Sequence, residues 1–245
     1  MPLDSARAFS LGTSPFNEQD KLVHLLTEDK GIIKGVAPGS LKGKNRFGPI
    51  FELFTEGNFF FYRKEDRDFV TFSKGDIIKS YFETVSNPSN VFYFYFISEI
   101  ITKFVPSDFR TRRVYNLVKT ILENSEKGKE PGILVLYFMI WILRIEGMMF
   151  NPGLCYNCFE RGIGKAWIKE DYRGILCAKC RSGEKTALHS DELNFIKWTE
   201  KNSADSLDVW IKKIPVKKLF FLFKKKIEHH GEISLKSSRY LKELS

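Results

Sequence analysis

The chain is poor in the signatures of catalysis. It has no glycine-rich phosphate loop of the G-x-x-x-x-G-K-[ST] type, no G-x-S-x-G elbow, no H-E-x-x-H pair and no G-x-G-x-x-G fingerprint. These absences argue against nucleotide hydrolases, serine hydrolases, zinc proteases and dinucleotide oxidoreductases that depend on such motifs. Histidine is scarce, with four residues at His24, His189, His229 and His230. None stands beside an evident nucleophile or carboxylate in the sequence, so no acid–base pair is visible.

Long apolar runs are also missing. The longest, "GILVLYFMIWIL" over 132–143, is bracketed by Glu130 and Arg144. It falls short of the roughly 20 residues that span a bilayer and reads as a buried helix. The opening "MPLDSARAFSLG" carries Asp4 and no extended apolar segment, so no secretory signal is expected. A cytosolic, bacterial-type protein in a reducing compartment is the expectation. No membrane partner is expected, and there is no internal repeat and no low-complexity tract.

What is present is a globular composition with an unusual bias. Apolar residues make up 43% of the chain and aromatics 15%, with 23 phenylalanines. The formal charge is +9. Much of the excess sits in residues 205–245, which hold ten Lys/Arg against five Asp/Glu. A second focus runs from Lys34 through Lys42 and Lys44 to Arg46 with no acid between. Such a balance suits a polyanionic partner such as nucleic acid or an acidic protein tail.

The order of elements predicts an α+β chain. "KLVHLLT", "EDKG" and "IIKGV" read as a hairpin. "PIFELFT" and "FFFYR" read as a second one, with Glu56-Gly57-Asn58 as its turn. "FVTF" and "IIKSYF" add two more strands, which together suggest a small barrel or sandwich. Beyond "SNPSN" the pattern turns helical. "VFYFYFISEIITKF" is followed by a helix over "RTRRVYNLVKTILENSEKG", capped by Ser107 or Asp108, and then by the apolar helix. Ser190 is the expected N-cap of "DELNFIKW". "VKKLFFLFKKKIEHH" sets Lys217, Lys218, Lys224, Lys225 and Lys226 around an apolar stripe of Leu219, Phe220, Leu222, Phe223 and Ile227.

All four cysteines fall within "CYNCFERGIGKAWIKEDYRGILCAKC", residues 155–180. Cys155/Cys158 and Cys177/Cys180 form two C-x-x-C pairs, eighteen residues apart. Each pair makes a tight turn that aims two sulfurs at one point, and two such turns complete a tetrahedron. A structural zinc site is the leading reading. An iron–sulfur cluster or redox dithiol comes next, and two disulfides last. Four thiolates leave no open position on zinc, which would then hold structure and not activate water.

Three basic stretches are candidate contacts. "GSLKGKNRFG", residues 39–48, is a glycine-rich basic loop between predicted strands, able to follow a phosphate backbone. Nearby Phe47, Phe51, Phe54, Phe59, Phe60, Phe61 and Tyr62 supply rings, most of them expected in the core. Arg110, Arg112 and Arg113 open a helix where the macrodipole disfavours cations, which hints at an anionic partner. Lys217 and Lys218 open the last long helix.

Together these pieces resemble the RecO family of bacterial recombination and repair mediators. The resemblance is carried by "ARAFSLG" and "EQDKLVHLLTEDKGIIKGVAPGSLKGKNRFGPIFELF", in which Thr27 and Gly31 match a T-x-x-x-G turn and Gly39, Lys44 and Arg46 match a basic loop. It continues through "LRIEGMMFNPGLCYNC" to "HHGEISLKSSRYL". Pro38 and Asn45 depart from the family's usual residues, as does Gly147-Met148-Met149-Phe150.

The resemblance implies an N-terminal OB-fold β-barrel over 1–82. An α-helical domain over 83–245 would follow, with a zinc-binding insertion at 151–183. It implies binding to single- and double-stranded DNA and annealing of complementary strands. It also implies contacts with RecR and with the C-terminal tail of the single-stranded-DNA-binding protein SSB, and indirect action on RecA. No enzymatic activity is expected. The candidate DNA contacts are Lys34, Lys42, Lys44, Arg46, Arg110, Arg112, Arg113, Lys217 and Lys218. Arg112, Arg113 and Lys119 are the candidates for the SSB tail, chosen by charge and helical spacing alone. The alternatives are a zinc-stabilised interaction scaffold with little DNA affinity and a zinc or redox enzyme.

Overall fold

The computed structural model of the protein describes residues 3–42, 46–63, 69–106 and 111–241. The chain divides into two compact units, Met1–Leu122 and Glu123–Ser245.

The first unit is built on β1 (Leu3–Pro15), β2 (Lys21–Thr27), β3 (Ile32–Ala37), β4 (Glu56–Tyr62) and β5 (Val70–Lys79). They close into a barrel in the order β1-β2-β3-β5-β4, with β4 pairing back onto β1. This is the five-stranded plan of an OB-fold. The seam between β3 and β5 is parallel, and every other pairing is antiparallel. Side chains alternate as a pleated strand requires. On β4, Phe59 and Phe61 are buried while Asn58 is exposed. With Ala6, Ala8, Val23, Leu25, Ile33, Val70 and Phe72 they fill the interior. Full burial of one such phenylalanine contributes roughly 1.5–3 kcal/mol.

The β2–β3 turn shows why threonine and glycine stand four residues apart. The Thr27 hydroxyl donates to Gly31 O at 2.6 Å and accepts the Lys30 N–H at 2.8 Å. Gly31 sits at φ +80°, where a side chain would be strained.

The second predicted hairpin is not formed. Gly48–Phe51 is a short 3-10 helix, and Glu56-Gly57-Asn58 lies inside β4 instead of forming a turn. Pro49 suits a first helical turn, and Ile50 and Phe51 are buried consecutively, which a one-sided strand does not allow. Ile50 lies where a Cβ on Gly57 or Gly75 would collide with it, so the 3-10 helix packs onto bare backbone of β4 and β5. The chain then turns through Phe54, at φ +57°, before β4 begins. "FVTF" and "IIKSYF" also differ from expectation, since β5 runs unbroken from Val70 to Lys79.

The first unit continues with α1 (Phe82–Ser86), α2 (Val91–Phe104) and the start of α3 (Arg112–Glu126). Phe94, Ile97, Ile101 and Phe104 form the buried stripe of α2, and Val114, Leu117, Val118 and Ile121 that of α3. The expected caps Ser107 and Asp108 lie outside the described residues.

In the second unit, α4 (Pro131–Ile145) is buried on nearly every side. Its first turn is capped by Glu130, whose carboxylate accepts the N–H groups of Gly132 and Ile133, each at 2.8 Å. A small sheet of β6 (Lys165–Ile168), β7 (Ile175–Leu176) and β8 (Ala187–His189) has the order β7-β6-β8. It leads into α5 (Ser190–Trp198) and α6 (Val216–Gly231). Ser190 is the first helical residue and not the cap. His189 takes the cap position, its N–H bonded to Glu192 at 2.8 Å. Helix α6 packs on α4 through the expected apolar stripe. Lys226 departs from the expected basic face and is fully buried. Among the described residues no helix is long and apolar enough to cross a membrane.

Candidate metal centre and nucleic-acid interface

The two C-x-x-C turns meet. The sulfurs of Cys155, Cys158, Cys177 and Cys180 all lie within 4.8 Å of one another. Cys158 Sγ is 3.6 Å from Cys177 Sγ. A tetrahedron with metal–sulfur bonds of about 2.3 Å has edges of roughly 3.8 Å, so the cluster matches a four-thiolate site. The cysteines are free thiols and not disulfides.

Local backbone geometry produces this convergence. In the first turn Phe159 N–H returns to Cys155 O at 3.1 Å, and in the second Cys180 N–H returns to Cys177 O at 3.1 Å. The chain between them folds as a hairpin, β6 against β7, with Trp167 opposite Leu176. Cys155 and Cys177 are buried, and Cys158 is exposed.

Electrostatics within the cluster are uneven. Burial opposes ionisation of Cys155. Hydrogen bonds from backbone N–H groups of Cys158, Cys177 and Asn157 outweigh it and lower the thiol to about 6. Cys180 is pushed up to about 12, first by its hydrogen bond with Cys158 and then by burial. Four thiols this close cannot all ionise beside one another unless a cation balances them. The donor set is therefore suited to a thiophilic divalent metal.

The cationic candidates distribute as follows. Lys34 is exposed on β3, opposite His24 of β2. Lys42 and Arg46 are exposed in the segment between β3 and the 3-10 helix. Arg46 reaches Phe72 O at 3.4 Å and lies over the Phe47 ring at 4.8 Å. Lys44 and Arg110 lie outside the described residues.

Arg112 and Arg113 are exposed at the start of α3, and Arg112 approaches Glu28 at 3.8 Å. Thr111, just before them, donates to Thr27 O at 2.6 Å. The start of α3 therefore docks on the β2–β3 turn, at the opposite end of β3 from Lys42. Five residue steps of β3, roughly 17 Å, separate those ends, and Lys34 lies between them. Lys119, further along α3, is half-buried.

On α6, Lys217 is exposed. Lys218 pairs with the buried Glu192 of α5 at 2.6 Å and so has an internal partner.

The rings named from sequence are mostly core: Phe47, Phe51, Phe54, Phe59 and Phe61 are buried. The exposed rings of the barrel are others. Phe16 and Phe69 are 50% and 39% exposed and meet edge to face at 6.5 Å. The sequence signal for them was weak, since each stands alone beside turn residues.

Comparison with known proteins bears on both halves. The model for "Recombination protein O N terminal" matches residues 1–81, and that for "Recombination protein O C terminal" matches residues 85–239. The chain belongs to the recombination protein O family. Among curated relatives, DNA repair protein RecO of Clostridium acetobutylicum is 27% identical over 181 residues, 74% of this chain and 72% of the relative. DNA repair protein RecO of Listeria monocytogenes is 24% identical over 190 residues, covering 78% and 73%. That of Koribacter versatilis is 25% identical over 186 residues, 76% of each chain.

Proposed function

We propose that this chain is a non-enzymatic DNA-binding mediator of repair and recombination. The observation that carries the reading is the paired family match over residues 1–81 and 85–239. In this reading Lys34, Lys42, Lys44 and Arg46 of the barrel contact phosphates, and Arg110, Arg112 and Arg113 extend the track. Lys217 and Lys218 provide a further contact on the helical domain. The exposure of Lys34, Lys42, Arg46, Arg112, Arg113 and Lys217 supports it.

The protein anneals complementary strands and, with RecR, helps load RecA on SSB-coated DNA. Arg112, Arg113 and Lys119 receive the acidic SSB tail. Residues 1–82 act as the barrel domain and 83–245 as the helical domain. Cys155, Cys158, Cys177 and Cys180 hold one structural Zn2+, which stabilises the 151–183 segment. The protein works in the bacterial cytoplasm.

One observation favours a second reading, a zinc-stabilised scaffold with little DNA affinity. Several of the cations have internal partners: Lys218 with Glu192, Arg112 with Glu28 and Arg46 with Phe72 O.

Fluorescence anisotropy across a salt series separates the two. Single-stranded and duplex oligonucleotides are titrated with wild type and with a Lys42/Lys44/Arg46→Ala variant. The mediator reading expects affinity to fall steeply with salt and the variant to flatten that slope by about one per lost phosphate contact. Absence of binding at low salt leaves the scaffold.

A further inference from the structure

The first cysteine turn ends on a residue that its backbone does not favour. Phe159 stands at φ +61°, a conformation natural to glycine and disfavoured for any residue with a Cβ. The other non-glycine residues in this region have evident reasons. Phe54 is buried in the core. Tyr172 turns its carbonyl to Lys226 and its ring to His229. Glu232 caps the end of α6. Phe159 gains no such burial. At 69% it is the most exposed large apolar side chain among the described residues. Closure of the turn, with Phe159 N–H on Cys155 O at 3.1 Å, accounts for the backbone angle but not for the exposed ring, since glycine would serve the turn without strain.

The surroundings of Phe159 are shaped. Leu154, Tyr156 and Phe159 form the apolar wall of a cleft of about 370 Å³, edged by Asn151 and Arg173. Tyr156 is itself 45% exposed. It lies so close to the backbone of Gly174 that a Cβ there would sit 2.5 Å from its ring, so glycine is what lets the ring lie down. Lys169 covers the Tyr156 ring at 4.0 Å from its centroid. Arg161 and Arg173 are exposed. The nearby acids Glu160 and Asp171 are opposed by Lys179 at 3.6 Å and Lys169 at 3.4 Å.

We infer that this cleft is a base-stacking subsite for single-stranded DNA. Phe159 and Tyr156 receive an unpaired base, and Arg173 meets the adjoining phosphate. Flat exposed rings beside cations are the combination by which single strands are held without sequence preference. A duplex keeps its bases stacked inside and offers the cleft only phosphate. The subsite rests on the DNA-binding reading above, and would favour unpaired strands at this one place on the surface.

The test is Phe159→Gly in the metal-loaded full-length protein, with zinc content checked. Glycine relieves the backbone, so the melting temperature is expected to hold or rise. Affinity for oligothymidylate is expected to fall roughly tenfold, with duplex affinity unchanged. Phe159→Trp, which keeps a stacking face, is expected to restore single-strand binding. Unchanged single-strand affinity in Phe159→Gly overturns the inference, as does an equal loss for duplex or a fall in melting temperature. Saturable binding of an acidic peptide that Phe159→Gly abolishes, with single-strand affinity intact, overturns it in favour of a protein partner. Wild type that binds neither DNA form sinks the DNA-binding reading itself. Wild type that binds while the variant matches it sinks this subsite alone.

Discussion

The hydroxyl of Tyr115 on α3 donates to Glu56 Oε1 on β4 at 2.6 Å, in a buried setting. Arg7 of β1 meets the same oxygen through Nε at 2.9 Å and Nη2 at 2.5 Å. One carboxylate thus joins two strands of the barrel to the helix. Burial works against its charge, and the bonds from Tyr115 and Arg7 more than offset it, holding the Glu56 carboxyl below its ordinary range.

Tyr115→Phe removes one donor from that carboxylate and is expected to destabilise the protein by about 1.5–3 kcal/mol. Glu56→Gln tests the pH linkage. A depressed carboxyl contributes stability above its unfolded value of about 4.3, and that contribution is lost as pH falls through the folded value. Urea midpoints for wild type and Glu56→Gln should therefore converge on acidification. A gap that stays constant from neutral pH to about pH 3 would contradict the linkage.

Lys226 gives a slope at the other end of the pH scale. It is fully buried on α6, donates to Tyr172 O and lies 3.0 Å from His230 Nε2. Burial lowers it to about 8, against a smaller opposing effect of Asp171. The unfolded lysine keeps a value of about 10.4, so between the two the unfolded chain binds more protons and stability rises with pH. Lys226→Met should remove that rise, read as denaturant midpoints at a series of pH values. A wild-type curve that is flat or falling across this window, and unchanged in the variant, would count against the assignment.

Cys155→Ser is expected to abolish metal binding and to accelerate amide exchange through residues 155–180, because three thiolates cannot close the tetrahedron. Chelation of the wild type should produce the same local change. Retention of one zinc per chain with unchanged exchange in that segment would refute a structural role.

Thr27→Val tests the β2–β3 turn. The hydroxyl bonds to Gly31 O and Lys30 N–H both disappear, for an expected loss of about 2 kcal/mol. Gly31→Ala should lose about 1–2 kcal/mol through its positive φ alone. Thermal melts that match wild type for both variants would show that the turn is not needed to hold the register.

The cysteine centre was legible because its information is local: two short turns carry all four ligands. Strands β2 and β3 were legible because two β-prone runs flank the turn residues Glu28-Asp29-Lys30-Gly31. Residues 48–55 were misread because consecutive apolar residues look like a strand, while the packing of Ile50 over Gly57 and Gly75 is a tertiary fact. Lys226 was counted on a solvated face because lysine beside lysine resembles one. Its burial depends on the hairpin turn at Tyr172, far away in sequence. Phe159 carried no signal until its backbone angle and exposure were known together.

The pairing of β4 back onto β1 has a consequence for recognition. That closure covers the outer margins of β1 and β4, and the β3–β5 seam, held by Gly35 with Val70 and Val36 with Thr71, is the one short pairing in the ring, so strand addition finds little template there. Recognition by the described strands then falls mainly to their side chains. The small cysteine-bearing sheet does end in two margins, β7 and β8, but they span only Ile175–Leu176 and Ala187–His189. Margins that short resist adventitious zippering between copies. Among the described residues, both sheets thus leave a visiting chain little backbone to copy, which protects each copy of the protein from its neighbours.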